Sequence, residues 1–225
     1  MIERERATKR IPGRDMFTLY DTHGLPPELT LEVAQGLGYE VDRAGFDDEM
    51  ARVICANYGP LRVVGAYFPN GQEPGSDKFA YKMQWLNALR AWIKHELSLH
   101  PMLTLMGDYN ITVDDRDVHD PVALAGTIHC TDEERAHFQG LIELGLSDAF
   151  RLFNSEGKLY SWWDYREMAF RRNRGLRIDH VLVSQALRPH CTGCVIDKAP
   201  RKNERPSDHA PVVLQLKGPI PGFCA

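Results

Sequence analysis

The sequence predicts an α/β fold. Short apolar runs, several of them β-branched, end at loop-forming residues and read as strands. Between two of them lies a long segment with apolar residues at helical spacing. The run at 102–106, Met-Leu-Thr-Leu-Met, is the centre of this pattern. It enters Gly107 and stops at Asp108 and Asn110.

Taken in order, residues 1–10 carry charge throughout, and Glu3 and Glu5 interrupt the basic ones, so a solvated arm is expected. Gly24-Leu-Pro-Pro27 forces a turn, because proline restricts itself and its predecessor. Thr30 can cap a helix through Leu31, Val33, Ala34 and Leu37, closed by Gly36 and Gly38. A second short helix is expected at 47–52. Residues 52–57 and 61–68 read as a strand hairpin around Tyr58-Gly-Pro60, and 69–75 as a loop dense in breakers. Phe79, Met83, Leu86, Leu89, Ile93 and Leu97 make 77–98 an amphipathic helix, with Trp85 and Trp92 as core. Thr131 and Glu134 have capping-box spacing at the start of a helix over 131–145. Segments 161–166, 178–184 and 212–216 read as further strands, and the tail after Gly218 as loose.

The 225 residues are 43% hydrophobic and 26% charged, which fits one or two globular domains. A net charge of −4 does not announce a nucleic-acid partner, so any basic surface must be local. Five cysteines without framework spacing point to a reducing compartment. No apolar run spans a bilayer and the charged N-terminus is no signal peptide. The expectation is a soluble, cytoplasmic protein without a membrane partner.

Asp108 and Asn110 alternate along a strand and so leave on one face. The acid can bind a metal or orient a water, and the amide can hold an oxyanion. The same residues also fit a strand ending in an Asp/Asn turn. Arg166, Arg171, Arg172, Arg174 and Arg177 form a local basic cluster suited to backbone phosphates, joined by Arg201, Lys202 and Arg205. Cys191-Thr-Gly-Cys194 lacks a second ligand pair and reads as coincidence. Asp114, Asp115, Asp117 and Asp120 lack the spacing of a calcium loop and read as solvated.

Six motifs in order carry a resemblance. They are Tyr67-Phe-Pro-Asn-Gly71, Gly107-Asp-Tyr-Asn110, Asp148-Ala-Phe-Arg151, Tyr160-Ser-Trp-Trp-Asp-Tyr-Arg166, Asn173-Arg-Gly-Leu-Arg-Ile-Asp-His180 and Pro206-Ser-Asp-His-Ala-Pro211. Residues 52–217 resemble an exonuclease III-type abasic-site endonuclease of the endonuclease/exonuclease/phosphatase family. The resemblance implies a DNase I-like four-layer α/β/β/α sandwich, here truncated. It implies Asp108 as the group that orients or deprotonates water, Asn110 as a holder of that water or a phosphate oxygen, and His209 as donor to the scissile phosphate. Asp179 would fix the His209 tautomer, and Tyr67 would reach the phosphate. Asp208 would help hold Mg2+ or Mn2+. Trp162, Leu176 and Ile178 would line a pocket for a base-free sugar, with Arg174 and Arg177 as further substrate contacts. The implied partner is double-stranded DNA with abasic sites or 3′ ends.

Phe17-Thr-Leu-Tyr-Asp-Thr-His-Gly-Leu-Pro26, Leu29-Thr30, Val41-Asp42 and Ala44-Gly45-Phe46 give residues 11–50 a second resemblance, to a piece of alanyl-tRNA synthetase. That enzyme's ATP-binding and aminoacylation motifs are absent. The nuclease family begins with an Asn-x-Asn-type strand and a strand ending in its principal metal-ligand glutamate, and residues 1–51 match neither. The expected organisation is a synthetase-like helical piece at 1–51, an incomplete nuclease domain at 52–218 and a tail at 219–225. The expected activity is DNA phosphodiester hydrolysis impaired by the lost glutamate. The alternative is a catalytically inactive DNA-binding remnant of a gene fusion.

Overall fold

A computed structural model describes residues 9–13, 15, 31, 33, 34, 37, 39–41 and 52–218. The chain divides into two compact units, Met1–Ile54 and Cys55–Ala225. In the first, β1 (Lys9–Ile11) and β2 (Tyr39–Val41) pair in parallel, Lys9 opposite Tyr39 and Ile11 opposite Val41. Lys9 and Arg10, expected in a solvated arm, are therefore in a strand. Leu31, Val33 and Ala34 are helical, as expected. The Thr30 cap, Gly36, Gly38 and the helix expected at 47–52, apart from Arg52, lie outside the described residues.

The second unit is built on a five-stranded sheet in the order β3-β4-β5-β7-β6. β3 (Val53–Tyr58) and β4 (Leu61–Ala66) flank the two residues Gly59 and Pro60. β4 runs parallel to β5 (Met102–Asp108). A parallel neighbour needs a crossover, which α1 (Asp77–Leu99) supplies. Ser76 caps α1 by accepting from the Phe79 amide at 3.1 Å. Phe79, Met83, Trp85, Leu86, Leu89 and Ile93 are buried along it, while Trp92 is only half-buried. Leu103 and Leu105 of β5 are fully buried.

After β5 come the short α2 (Pro121–Leu124) and α3 (Asp132–Ile142). The Thr131–Glu134 capping box forms as the spacing predicts. Then follow β6 (Leu146–Asp148), α4 (Ala149–Phe153) and β7 (Asp179–Ser184). β7 is antiparallel to both β5 and β6. β8 (Cys191–Ile196) and β9 (Val212–Leu216) form a separate antiparallel pair. Cys194 of that pair is buried in a core cluster with Ala149, Phe150, Val181 and Val183.

Segment 161–166 is not the expected strand. Trp162 makes only isolated bridges, to Leu176 and His209. Asp164 accepts from the Arg166 amide at 2.8 Å, and positive φ angles at Glu167 and Met168 turn the chain away. The Asp114–Asp120 run is not uniformly solvated either. Asp117 is fully buried, and Asp120 caps α2.

Asp117 meets Arg177 in a two-pronged ion pair, Nε to Oδ1 at 2.7 Å and Nη2 to Oδ2 at 2.9 Å. Arg177 Nη2 also donates to Asp148 at 2.8 Å, and Nη1 lies 3.0 Å from His180 Nδ1. Arg151 joins through a further bond to Asp117. Arg177 is 1% exposed, so its expected role as a substrate contact is corrected. Its guanidinium ties β6, β7 and the loop after β5 together. Burial opposes the Asp117 charge, yet Arg177 holds that carboxyl below its ordinary range. Breaking a buried pair from one side strands the other charge. Arg177→Met is therefore expected to cost about 3–5 kcal/mol in urea unfolding, a loss that a solvated arginine would not produce.

Candidate active site

The register of β5 against β7 sets the site. Gly107 lies opposite His180, and Asp108 opposite Asp179. Gly107 sits at φ +145°, and a Cβ there would come 1.9 Å from the Ala66 carbonyl oxygen. Only glycine lets β4 and β5 close at this point.

Asp108 and Asn110 do meet, but not by strand alternation. β5 ends at Asp108, and Asn110 adopts φ +52°. The Asn110 amide donates to Asp108 Oδ1 at 2.9 Å, and its side-chain Nδ2 donates to Asp108 Oδ2 and the Phe68 carbonyl, both at 3.1 Å. Asn70 Nδ2 donates to Asn110 Oδ1 at 3.2 Å. The Asn110 amide is thereby held on three sides. Tyr67, half exposed, precedes Phe68, whose amide donates to the Asp108 carbonyl at 2.9 Å.

His209 stands between the two carboxylates. Its Nδ1 lies 2.9 Å from Asp179 Oδ2 and 3.1 Å from Oδ1. A carboxylate only accepts, so Nδ1 carries the proton. Nε2 lies 3.9 Å from Asp108 Oδ2. Sequence reasoning did not single out what holds Asp179. Buried Ser161 does so, its Oγ accepting from the Asp179 amide at 3.0 Å and the Ile178 amide at 3.2 Å. Asp208 Oδ2 accepts from Trp162 Nε1 at 3.0 Å, and its carbonyl accepts from the Trp163 amide at 3.0 Å. Trp163 is fully buried and Trp162 half-buried, as two neighbours of opposite exposure should be.

Two cavities adjoin these residues. One, of about 420 Å³, is lined by Asp108, Asp179 and His209 with Met106, Pro200 and Ser207. The other, of about 590 Å³, is lined by Trp162, Leu176, Arg166, Arg174, His119 and His129. Arg174 is exposed there and pairs with Glu167 at 3.0 Å. Ile178 is buried in a cluster with Leu176, Val118 and Cys130. Arg201, expected to contact phosphate, is instead buried among the rings of Trp163, Tyr165 and Phe170 and donates to the Ser207 carbonyl. It pins the loop that delivers Asp208 and His209. Cys191 and Cys194 are free thiols in β8.

The electrostatics raise the pKa of both groups. Burial, and then the charge of Asp179, raises the Asp108 pKa to about 6. Burial opposes protonation of His209, but the hydrogen bond and charge of Asp179, then the charges of Asp108 and Asp208, outweigh it and raise its pKa. Two titrating groups with perturbed pKa values in one cleft mark a candidate functional site.

The family model described as Endonuclease/Exonuclease/phosphatase family matches residues 34–209, and one described as tRNA synthetases class II (A) matches residues 1–55. The chain belongs to the endonuclease/exonuclease/phosphatase family, which is metal-dependent. Within it, the chain is of the exodeoxyribonuclease III type. It is 36% identical over 194 residues to exodeoxyribonuclease III of Haemophilus influenzae, covering 79% of this chain and 73% of that protein. It is 34% identical over 185 residues to the exodeoxyribonuclease of Bacillus subtilis, covering 82% and 69%. Among solved structures, the 3′-5′ exonuclease NExo of Neisseria meningitidis matches with a TM-score of 0.73 and 44% identity, over 74% of this chain and 65% of that one. An AP endonuclease of Archaeoglobus fulgidus gives 0.71 and 31%, with the same coverage. The chain thus spans just under two thirds of these structures.

The donor set does not by itself make a metal centre. Among the described residues no three His, Cys, Asp or Glu side chains converge where an ion could sit. Asp208 already has one oxygen bonded to Trp162.

The Asp108 shift has a consequence for stability. Its folded pKa is raised from 3.8 to about 6, so the folded state holds the proton more tightly and stability falls as pH rises through that window. Asp108→Asn is expected to raise stability by about 1–3 kcal/mol above pH ~6, with the gain vanishing below pH ~4. Denaturant melts of both proteins across that range measure it, and a gain independent of pH would contradict the assignment.

Proposed function

We propose that the chain hydrolyses DNA phosphodiester bonds, 5′ to abasic sites and at 3′ ends. The observation that carries this is the Asp179–His209–Asp108 arrangement, with His209 fixed by Asp179 at 2.9 Å and facing Asp108 at 3.9 Å. Asp108 orients a water and takes its proton as the oxygen attacks phosphorus, a role that suits a carboxyl with a pKa of about 6. The P–O3′ bond breaks, its electron pair leaves on O3′, and the 3′-oxygen takes up a proton from solvent. Asn110 holds a phosphate oxygen or the water by exchanging one of its two Nδ2 bonds, to Phe68 or to Asp108, for the substrate. His209 in its imidazolium form, which its raised pKa favours, donates the Nε2 proton to the phosphate as charge builds, while Asp179 holds the Nδ1 proton. Tyr67 adds a hydroxyl at the phosphate. Trp162 and Leu176, with Ile178 packed against Leu176, form the wall for an extruded sugar, and Arg174 reaches the backbone.

The ion expected for this class is Mg2+ or Mn2+, hard cations that prefer oxygen, with Asp208 as the ligand in this chain. When bound, such an ion stabilises developing charge on phosphate oxygens. With one such carboxylate it would bind weakly. DNA as partner draws support from the Neisseria relative, described as a 3′ phosphatase bound to product DNA hairpin, and from the zebrafish relative, described as a DNA repair nuclease. Among the described residues no helix is long and apolar enough to cross a membrane. Cys130, Cys191 and Cys194, which form no disulfide, fit work in the reducing cytoplasm.

Among the described residues the donor set is incomplete, which favours a second reading, a DNA-binding protein that does not cut. Duplex DNA carrying one abasic-site analogue separates the two. The hydrolase reading predicts a nick 5′ to the analogue in Mg2+, none in EDTA, and a loss of at least ~10²-fold in Asp108→Asn. Folded protein that binds this duplex but leaves it intact at any Mg2+ concentration supports the second reading.

A further inference from the structure

One buried charge is not explained by the residues that meet the phosphate. Lys82 lies on the buried face of α1, among Phe79, Met83 and Leu86, and is fully buried. An unpaired ammonium there would be costly, and desolvation does lower its pKa. All three of its protons are spoken for. Nζ donates to Glu134 Oε1 at 2.5 Å, to the Asn110 carbonyl at 2.8 Å and to the Asn70 carbonyl at 3.2 Å.

A simple charge pair would need only the first of these. Glu134 is already well supplied, since Oε2 accepts from the Thr131 amide and hydroxyl, and Oε1 from the His129 amide. The other two protons go to the backbone of Asn70 and Asn110, whose side chains join each other beside Asp108. Asn110 has the left-handed backbone that side chains disfavour. Its carbonyl is turned inward and takes a second donor, His129 Nδ1 at 2.7 Å. Burial, then the charge of Lys82, keeps His129 neutral by lowering its pKa to about 4. The loop also passes tightly over the lysine stem. Gly71 sits at φ +87°, and a Cβ there would lie 2.8 Å from Lys82 Cδ.

We propose that Lys82 is a positioning residue that holds the Asn110 amide against Asp108, beside the site of reaction, by gripping the Asn110 and Asn70 carbonyls from beneath. The proposal rests on the hydrolase reading for its kinetic consequence and on the hydrogen-bond geometry for its structural one. Glu134 balances the charge and helps fix Nζ. The role differs from that of Asp108, Asn110 or His209, because Lys82 touches no substrate.

The test must separate aim from charge balance. Lys82→Met alone strands Glu134, so the informative variant is Lys82→Met with Glu134→Gln, which removes both charges and nearly keeps volume. Its folding is checked by urea unfolding and near-UV circular dichroism. Two readouts follow. In NMR, solvent exchange of the Asn110 side-chain NH2 is expected to quicken by about tenfold or more, since both Nδ2 bonds, to Phe68 and Asp108, loosen together. On the abasic-analogue duplex, kcat is expected to fall by about 10²-fold while KM stays within about threefold, the signature of a misaimed group. Unchanged Asn110 exchange in a folded double variant overturns the proposal whatever the kinetics. Quickened exchange with kcat retained overturns the kinetic half. If the wild-type protein cuts nothing, the hydrolase reading fails, and the exchange measurement still decides whether Lys82 holds Asn110.

Discussion

The antiparallel register of β5 on β7 is the constraint on which the rest depends. It sets Asp108 against Asp179 at the end of the two central strands. Two carboxylates placed so close repel, and the arrangement persists because something stands between them. His209 does so, its two ring nitrogens facing the two acids. Shift the register by one residue and Asp108 faces the wrong side of the sheet, since side chains alternate. Gly107 is what allows β4 to close on β5 beside it, because a side chain there would strike the Ala66 carbonyl.

Beneath this surface lies a frame of buried charge. Arg177 joins Asp117, Asp148 and His180 under one side of the site. Lys82 joins Glu134, Asn110 and Asn70 under the other. Arg201, enclosed by three aromatic rings, holds the loop that brings His209. Buried ion pairs are poor bargains for stability when compared with apolar packing. They hold direction well, however, and a site that must aim an amide, an imidazole and a carboxylate needs direction.

Much of this is legible in the sequence, and the misread charged residues share a cause. α1, β5, β7, β9 and the Thr131–Glu134 capping box follow from apolar spacing and local chemistry alone. The catalytic candidates Asp108, Asn110, Asp179 and His209 came from ordered motifs, and the structure brings them together. What was misread is burial. Arg177 and Arg201 look like phosphate contacts because arginines crowd a stretch of chain, and sequence spacing does not tell an exposed guanidinium from one enclosed by partners far along the chain. Asp117 looked solvated for the same reason. Lys82 left one usable signal, a lysine inside an apolar helical stripe. β8 went unseen because a Thr-Gly pair inside it breaks the alternating pattern, and its bulge lies between Cys191 and Gly193.

The fold and the comparisons give the chain its family, and the Asp179–His209–Asp108 geometry gives the hydrolytic reading its substance. The central claim is that these residues act as one unit on a phosphodiester bond. The most direct test is a double-mutant cycle under single-turnover conditions, with Asp108→Asn, His209→Ala and the pair on duplex DNA bearing an abasic-site analogue. Groups that act together are strongly non-additive, so the pair should lose little more than the worse single variant. Losses that multiply, or an intact duplex with folded wild-type protein, would contradict the account.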